Sequence, residues 1–149
     1  MSKLTRGTAL GTLIALIAGG LIFYIVTSTT GYLVGSVIDP LPIVLTAIAI
    51  LLLGAEIWLG GRIRPFLRDL ALIASIALLA LSFATFLLAR VPLAGDVYFI
   101  PVNYPEAEAV TLHLSFVGLG LYAVAIVVLT VAAFSAKRTS RLPQPIVVN

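Results

Sequence analysis

The sequence predicts an all-α integral membrane protein, with four transmembrane helices in an up-down bundle and both termini in the cytoplasm. Of its 149 residues, 61% are hydrophobic and 10% are charged, whereas soluble domains carry about 25% charged residues. The apolar residues fall into four runs, each near the roughly 20 residues that cross the hydrocarbon of a bilayer. The basic residues lie between or beside these runs, which is typical of membrane topology rather than of a binding face.

The four runs define one domain over residues 1–141. The spans are expected at about 8–29, 42–60, 70–89 and 109–136. The first apolar run continues past the roughly 7–15 residues of a signal peptide, so we expect a retained span. Asp39, Pro40 and Pro42 mark a turn between the first two spans. We expect an outer loop over 90–108 and a flexible tail over 142–149.

The orientation follows from the basic residues. Arg62, Arg64 and Arg68 lie in the short turn between the second and third spans, and both ends of the chain are basic. Cytoplasmic loops are enriched in Lys and Arg, so this turn and both termini are expected in the cytoplasm. The chain has seven Arg and two Lys, a weak indication of a GC-rich bacterial genome. We therefore expect a multi-pass protein of the plasma membrane, the cell inner membrane of a bacterium.

Several chemistries are excluded by the residues that the sequence lacks. There is no cysteine, which excludes disulfides, thiolate zinc sites and iron–sulfur clusters. No glycine-rich phosphate loop and no nucleophile–base pair is visible. His113 is the only histidine, and we expect it to hydrogen-bond to a neighbouring helix. We predict no enzyme activity, no cofactor, no metal site and no binding of nucleic acid.

Glu56 is the one charged residue within the second span. It lies about 9 Å along the helix from Arg62, at 1.5 Å per residue. One interpretation places it at the inner interface, paired with Arg62 or Arg64 and beside the interfacial Trp58. The other treats an intramembrane carboxylate as a proton or cation site. We favour the interfacial salt bridge.

Small residues recur every four positions in the first span, at Gly7, Gly11, Ala15 and Gly19. Small residues at this spacing allow two helix backbones to approach closely. Gly118 in the fourth span suggests close packing for the same reason. The sequence therefore predicts helix packing at these five positions.

The long connection before the fourth span is rich in aromatic residues and proline. Its candidate recognition residues are Asp96, Tyr98, Phe99 and Tyr104, with His113 on the helix that follows. An ordered loop of this length is a usual place for recognition. The alternative is a cap on the bundle, with the aromatic rings at the depth of the lipid headgroups.

Functional side chains are sparse, and the small-residue faces favour helix association. We therefore expect a non-catalytic polytopic membrane protein that serves as an accessory or structural subunit. Its expected partners are the lipid bilayer and either a larger membrane protein or a further copy of itself. The alternative is a small oligomeric transporter or channel that uses Glu56.

Overall fold

Four long helices account for most of the chain in a computed structural model, which describes residues 3–30, 33, 38–59, 62, 64–99 and 106–139. The helices are α1 (Lys3–Thr29), α2 (Leu41–Leu59), α3 (Pro65–Phe99) and α4 (Glu106–Thr139). No strand occurs within those ranges. The predicted tail at 142–149 lies outside the described residues.

Each helix contains a stretch that is long and apolar enough to cross a membrane. The stretches are Gly7–Thr29, Leu41–Leu59, Pro65–Phe99 and Glu106–Phe134. The prediction of an all-helical chain with four such helices is confirmed. Four helices of this length and composition indicate a multi-pass membrane protein.

The end of the third span needs correction. The sequence predicts a loop from residue 90, yet α3 continues through Arg90 and Pro92 to Phe99. Its 35 residues make a helix of about 52 Å. Arg90 was expected to close the third span on its outer side, whereas its side chain is buried among hydroxyl groups of the other helices. The charge therefore does not end the helix.

The four helices pack as a closed ring in chain order. α2 packs on α3 and α1 packs on α4 most extensively, and α3–α4 and α1–α2 contacts complete the ring. The core between them contains large fully buried side chains, among them Ile17, Tyr24, Leu53, Leu79, Phe86, Tyr122 and Leu129. A smaller cluster of Leu93, Val97, Ala109 and Leu112 joins the end of α3 to the start of α4.

The buried faces of α2 and α3 follow the helical period. In α2 the buried residues are Pro42, Thr46, Ala49, Leu53 and Glu56. In α3 they are Leu72, Ser75, Leu79, Ser82, Phe86, Arg90, Leu93 and Val97. Spacings of three and four residues keep these side chains on one face. Two charged residues, Glu56 and Arg90, therefore occupy positions that the helix directs into the bundle.

Two glycines allow α1 and α4 to approach closely. A Cβ atom at Gly118 would lie 2.7 Å from the Cβ atom of Phe23 and 3.2 Å from Cε1 of Phe86. A Cβ atom at Gly20 would lie 2.8 Å from Cδ2 of Tyr122. Neither contact leaves room for a methyl group, so this helix crossing depends on the missing side chains.

Gly118→Ala should therefore destabilise the bundle, whereas Gly120→Ala should not. An overpacked core position costs about 1–3 kcal/mol. Gly120 is exposed, and a Cβ atom there would have no neighbour within 4 Å, so its replacement gains up to about 1 kcal/mol of helix propensity. Thermal unfolding in one detergent should give a lower Tm for Gly118→Ala and an equal or higher Tm for Gly120→Ala. Equal Tm values for the two variants would contradict this packing.

Candidate functional site

Arg90 is a buried charge inside the bundle, with 5% of its surface exposed. It lies on the core face of α3 and reaches side chains of α1 and α4. We call Arg90 and the residues around its guanidinium the arginine cluster: Tyr24, Thr27, Ser28, Phe86, Arg90 and Ser115. Buried charges in membrane segments are costly and commonly mark functional sites.

Three hydroxyl oxygens accept hydrogen bonds from the Arg90 guanidinium. Nε donates to Ser115 Oγ at 3.0 Å. Nη2 donates to Thr27 Oγ1 at 2.9 Å and to Ser28 Oγ at 2.7 Å. These bonds link α3 to α4 on one side and to α1 on the other, so a single side chain connects three helices.

The helix backbone orients two of these hydroxyl groups. Thr27 Oγ1 donates to the Phe23 carbonyl at 2.7 Å, and Ser115 Oγ donates to the Thr111 carbonyl at 2.8 Å. Bonds from Ser and Thr to a carbonyl one turn earlier are common within helices. Because each hydroxyl proton is engaged by the backbone, the oxygen lone pairs are left for the guanidinium.

Two aromatic rings lie beside the guanidinium. The Cζ atom of Arg90 lies 5.5 Å from the ring centroid of Tyr24 and 5.2 Å from that of Phe86. Such distances favour a cation–π attraction, which is strongest away from water. The Tyr24 hydroxyl donates to the Asp39 carbonyl at 2.7 Å, and this bond fixes the ring against the start of α2.

A cavity of about 240 Å³ opens beside the arginine cluster. Its apolar wall comprises Leu33, Ile38, Ala89, Pro92 and Leu93. Its charged lining is Arg90 together with Asp39 and Asp96. The cavity therefore combines one guanidinium with two carboxylates, and it is the place where the buried charge can meet a ligand.

A second polar layer lies deeper in the bundle. Thr46 Oγ1 is 2.7 Å from Ser82 Oγ and 2.7 Å from the Tyr122 hydroxyl. Ser82 Oγ donates to the Pro42 carbonyl at 3.0 Å. All three side chains are completely buried. Since eight residues separate Ser82 from Arg90, this layer is about 12 Å from the arginine cluster along α3.

Glu56 lies at the other end of α2 from this layer. It is 5% exposed, while Arg62 and Arg64 are exposed. Trp58 has 91% of its surface exposed, as suits a ring at a membrane interface. The expected salt bridge between Glu56 and an arginine of the turn stays a prediction.

The small-residue stripe of α1 divides into two parts. Gly19 faces α4, since a Cβ atom there would lie 3.3 Å from Cδ1 of Leu121. Gly11 and Ala15 are exposed, and a Cβ atom at Gly7 or Gly11 would have no described neighbour within 4 Å. Gly11 and Ala15 therefore face away from the bundle, and Gly7 is half-buried with open space where a Cβ atom would lie. Gly118 lies at the crossing of α1 and α4.

The residues proposed for recognition are not in a loop where the structure describes them. Asp96, Tyr98 and Phe99 belong to the last turns of α3. Tyr98 and Phe99 are 60% and 84% exposed, and His113 is exposed on α4. Asp96 alone joins the cavity, and Tyr104 lies outside the described residues. Within the described ranges, no group of three or more His, Asp or Glu side chains could hold a metal ion.

Arg90, Thr27, Ser28 and Ser115 were not among the site residues expected from the sequence. The spacing in α3 indicates that Arg90 lies on the core face, because Phe86, Arg90, Leu93 and Val97 continue one face of the helix. A charge on an apolar face predicts a buried partner on another helix. Which helices supply that partner is a property of the packing.

The chain matches no family model, no curated protein and no solved structure. Its function has to be argued from the arginine cluster, the adjoining cavity and the outer surface of the helices.

Replacing Ser115 with alanine should destabilise the bundle more than replacing Ser75. Both serines are completely buried, and both donate to a carbonyl one turn earlier at 2.8 Å. Only Ser115 also accepts from Arg90. Ser115→Ala leaves a buried charged donor without its acceptor, at a cost of about 1–3 kcal/mol.

Thermal unfolding of the two variants in one detergent measures this difference. We expect Ser115→Ala to have the lower Tm of the two. If Ser75→Ala lowers Tm by as much, the hydrogen bond to Arg90 does not stabilise the bundle.

Proposed function

We propose that the chain is a non-catalytic membrane protein that serves as an accessory or structural subunit. In this role it packs against a larger membrane partner or a further copy of itself. The observation that carries the proposal is the outward-facing small-residue stripe of α1, at Gly7, Gly11 and Ala15.

The stripe suits a contact with another helix in the membrane. Lipid tails are as apolar as leucine, so helices associate there through close packing and hydrogen bonds rather than through the hydrophobic effect. The chain already uses small residues in this way where Gly20 and Gly118 bring α1 and α4 together. The stripe offers a second close approach that no described residue of the chain itself occupies.

The interior of the bundle supports a scaffold more than a path for a substrate. The layer of Thr46, Ser82 and Tyr122 is completely buried and hydrogen-bonded within itself. Phe86, which is also completely buried, lies between this layer and Arg90. A path along the bundle axis would have to break this layer, whereas a structural subunit benefits from it.

We infer an up-down arrangement with both termini in the cytoplasm of a bacterial cell. The basic turn at 62–68 supports this orientation. The arginine cluster supports the arrangement, because it joins late residues of α1 and α3 to an early residue of α4.

Single-cysteine variants test both parts of the proposal, since the chain has no cysteine of its own. In native membranes, cysteines at positions 11 and 15 should cross-link to a partner protein or to a second copy. The control is Leu51→Cys, at a position that is 71% exposed on α2. A cysteine at position 64 should react with membrane-impermeant reagents only from the cytoplasmic side. Cross-linking at positions 11 and 15 no stronger than at 51 would contradict the subunit role, and labelling of position 64 from outside would contradict the topology.

A small oligomeric transporter that uses Glu56 is the second candidate. The observation that favours it is the burial of Glu56 on the core face of α2, because intramembrane carboxylates commonly serve proton and cation pathways. The test is ion flux into proteoliposomes with wild-type protein and with Glu56→Gln. The subunit role predicts no flux from either protein. Flux from the wild type that Glu56→Gln abolishes would decide for the transporter.

A further inference from the structure

We propose that the cavity beside Arg90 binds a small zwitterion, with its anionic group on the guanidinium and its primary ammonium group between Asp39 and Asp96. The cavity measures about 240 Å³. Pockets for drug-sized ligands range over roughly 300–1,000 Å³. The space therefore fits an amino acid or a lipid headgroup rather than a large metabolite.

Arg90 supplies the anion-binding part of the site. The residue is buried, with 5% of its surface exposed, and the groups that accept from its Nε and Nη2 are neutral hydroxyl groups. Nη1 is the remaining donor of the guanidinium, and Arg90 lines the cavity. A buried charge whose acceptors are neutral is unfavourable. An anionic group in the cavity would add a charged acceptor.

The two carboxylates make a purely anionic ligand unfavourable in this cavity. Asp39 and Asp96 line the same cavity, so its charged side chains sum formally to −1. A ligand with two carboxylates, or a phosphate monoester, would be repelled by both Asp39 and Asp96. A cation alone would be repelled by Arg90. A ligand with one negative group and one ammonium group satisfies all three side chains.

The backbone holds Asp39 at the cavity. Its Oδ1 accepts from the Leu41 N–H at 2.9 Å, the bond of an N-cap residue at the start of α2. Its carbonyl accepts from Tyr24, which also faces the Arg90 guanidinium. Asp96 follows Arg90 by six residues on α3, which is about 9 Å of helix rise. Arg90 and Asp96 belong to one helix, and Asp39 lies two residues before α2, so the start of α2 and the end of α3 together place the three charged side chains at the cavity.

The depth of Arg90 suits a lipid headgroup as one source of this chemistry. The twenty uncharged residues 70–89 span about 30 Å, the thickness of the hydrocarbon. Arg90 then lies at the level of the headgroups. An ethanolamine phospholipid carries a phosphate diester and a primary ammonium group, and a free amino acid carries a carboxylate and the same ammonium group. The two sources share the chemistry that the cavity recognises.

Binding is measured by isothermal titration of the purified full-length protein in detergent. The probes are a short-chain phosphatidylethanolamine, the matched phosphatidylcholine, the matched phosphatidylglycerol, and glycine. Phosphatidylcholine retains the charges of the zwitterion but has no ammonium proton to donate, and phosphatidylglycerol has the anionic group alone. We expect the ethanolamine lipid, glycine or both to bind at least about tenfold more tightly than the choline and glycerol lipids.

Asp39→Asn and Asp96→Asn are the variants that report on the site without removing Arg90. Asparagine is also a good N-cap residue, so Asp39→Asn should preserve the start of α2. Each change should lower the affinity for the zwitterion by about tenfold. It should raise the affinity for phosphatidylglycerol, because one carboxylate fewer repels the anionic group. Ser75→Ala, which is remote from the cavity, should leave all affinities unchanged.

The outcomes separate the sources and decide the proposal. Tight binding of phosphatidylethanolamine that depends on both aspartates supports the site and identifies a lipid as its source. The same dependence for glycine alone supports the site and identifies a soluble ligand. No binding of either zwitterion, or binding that both aspartate variants leave unchanged, overturns the proposal. The subunit role is tested separately, by cross-linking from α1, so the failure of one proposal can be told from the failure of the other.

Discussion

A guanidinium that is removed from water needs acceptors for its N–H groups, and in this bundle three hydroxyl groups provide them for Arg90. They come from α1 and α4, so the burial of one charge fixes the position of three helices. An isolated charge in a low-dielectric interior is costly. Any arrangement of these helices that separated Arg90 from Thr27, Ser28 and Ser115 would incur that cost. Such arrangements are therefore disfavoured.

The same constraint explains how a bundle with a small core is stabilised. Lipid removes the hydrophobic drive for helix association, so packing and hydrogen bonds have to hold the helices together. The structure provides both in alternating order along the bundle axis. The arginine cluster joins α1, α3 and α4, the layer of Thr46, Ser82 and Tyr122 joins α2, α3 and α4, and Gly20 and Gly118 bring α1 and α4 into close contact. Each helix thus takes part in at least one polar layer.

The cavity beside Arg90 follows from the same feature. The rings of Tyr24 and Phe86 and three hydroxyl groups surround the guanidinium, and Arg90 also lines the cavity together with Asp39 and Asp96. A structural subunit with such a cavity would respond to the lipid or solute that fills it. Binding there would stabilise the contact of α1, α3 and α4.

The sequence was sufficient for the four helices, because each apolar run is long enough to cross a bilayer and few charges interrupt it. It was insufficient at Arg90, since a lone arginine near the end of an apolar run predicts a membrane boundary as readily as a buried site. Whether Arg90 is buried depends on Ser115 and Thr27, which are 25 and 63 residues away from it in sequence. The outward orientation of Gly11 was equally hidden, because glycine spacing predicts close packing without indicating which helix supplies the partner. The buried position of Glu56 is visible in the period of α2.

The burial of Arg90 can be measured most directly through its Nε–H group by proton–nitrogen NMR in detergent micelles. Because this group donates to Ser115 within the bundle, its proton should exchange with water far more slowly than those of Arg62 and Arg64, which are exposed. The signal is assigned by its loss in Arg90→Lys. An Arg90 Nε–H proton that exchanges as fast as those of the exposed arginines would contradict a buried guanidinium at the centre of the fold.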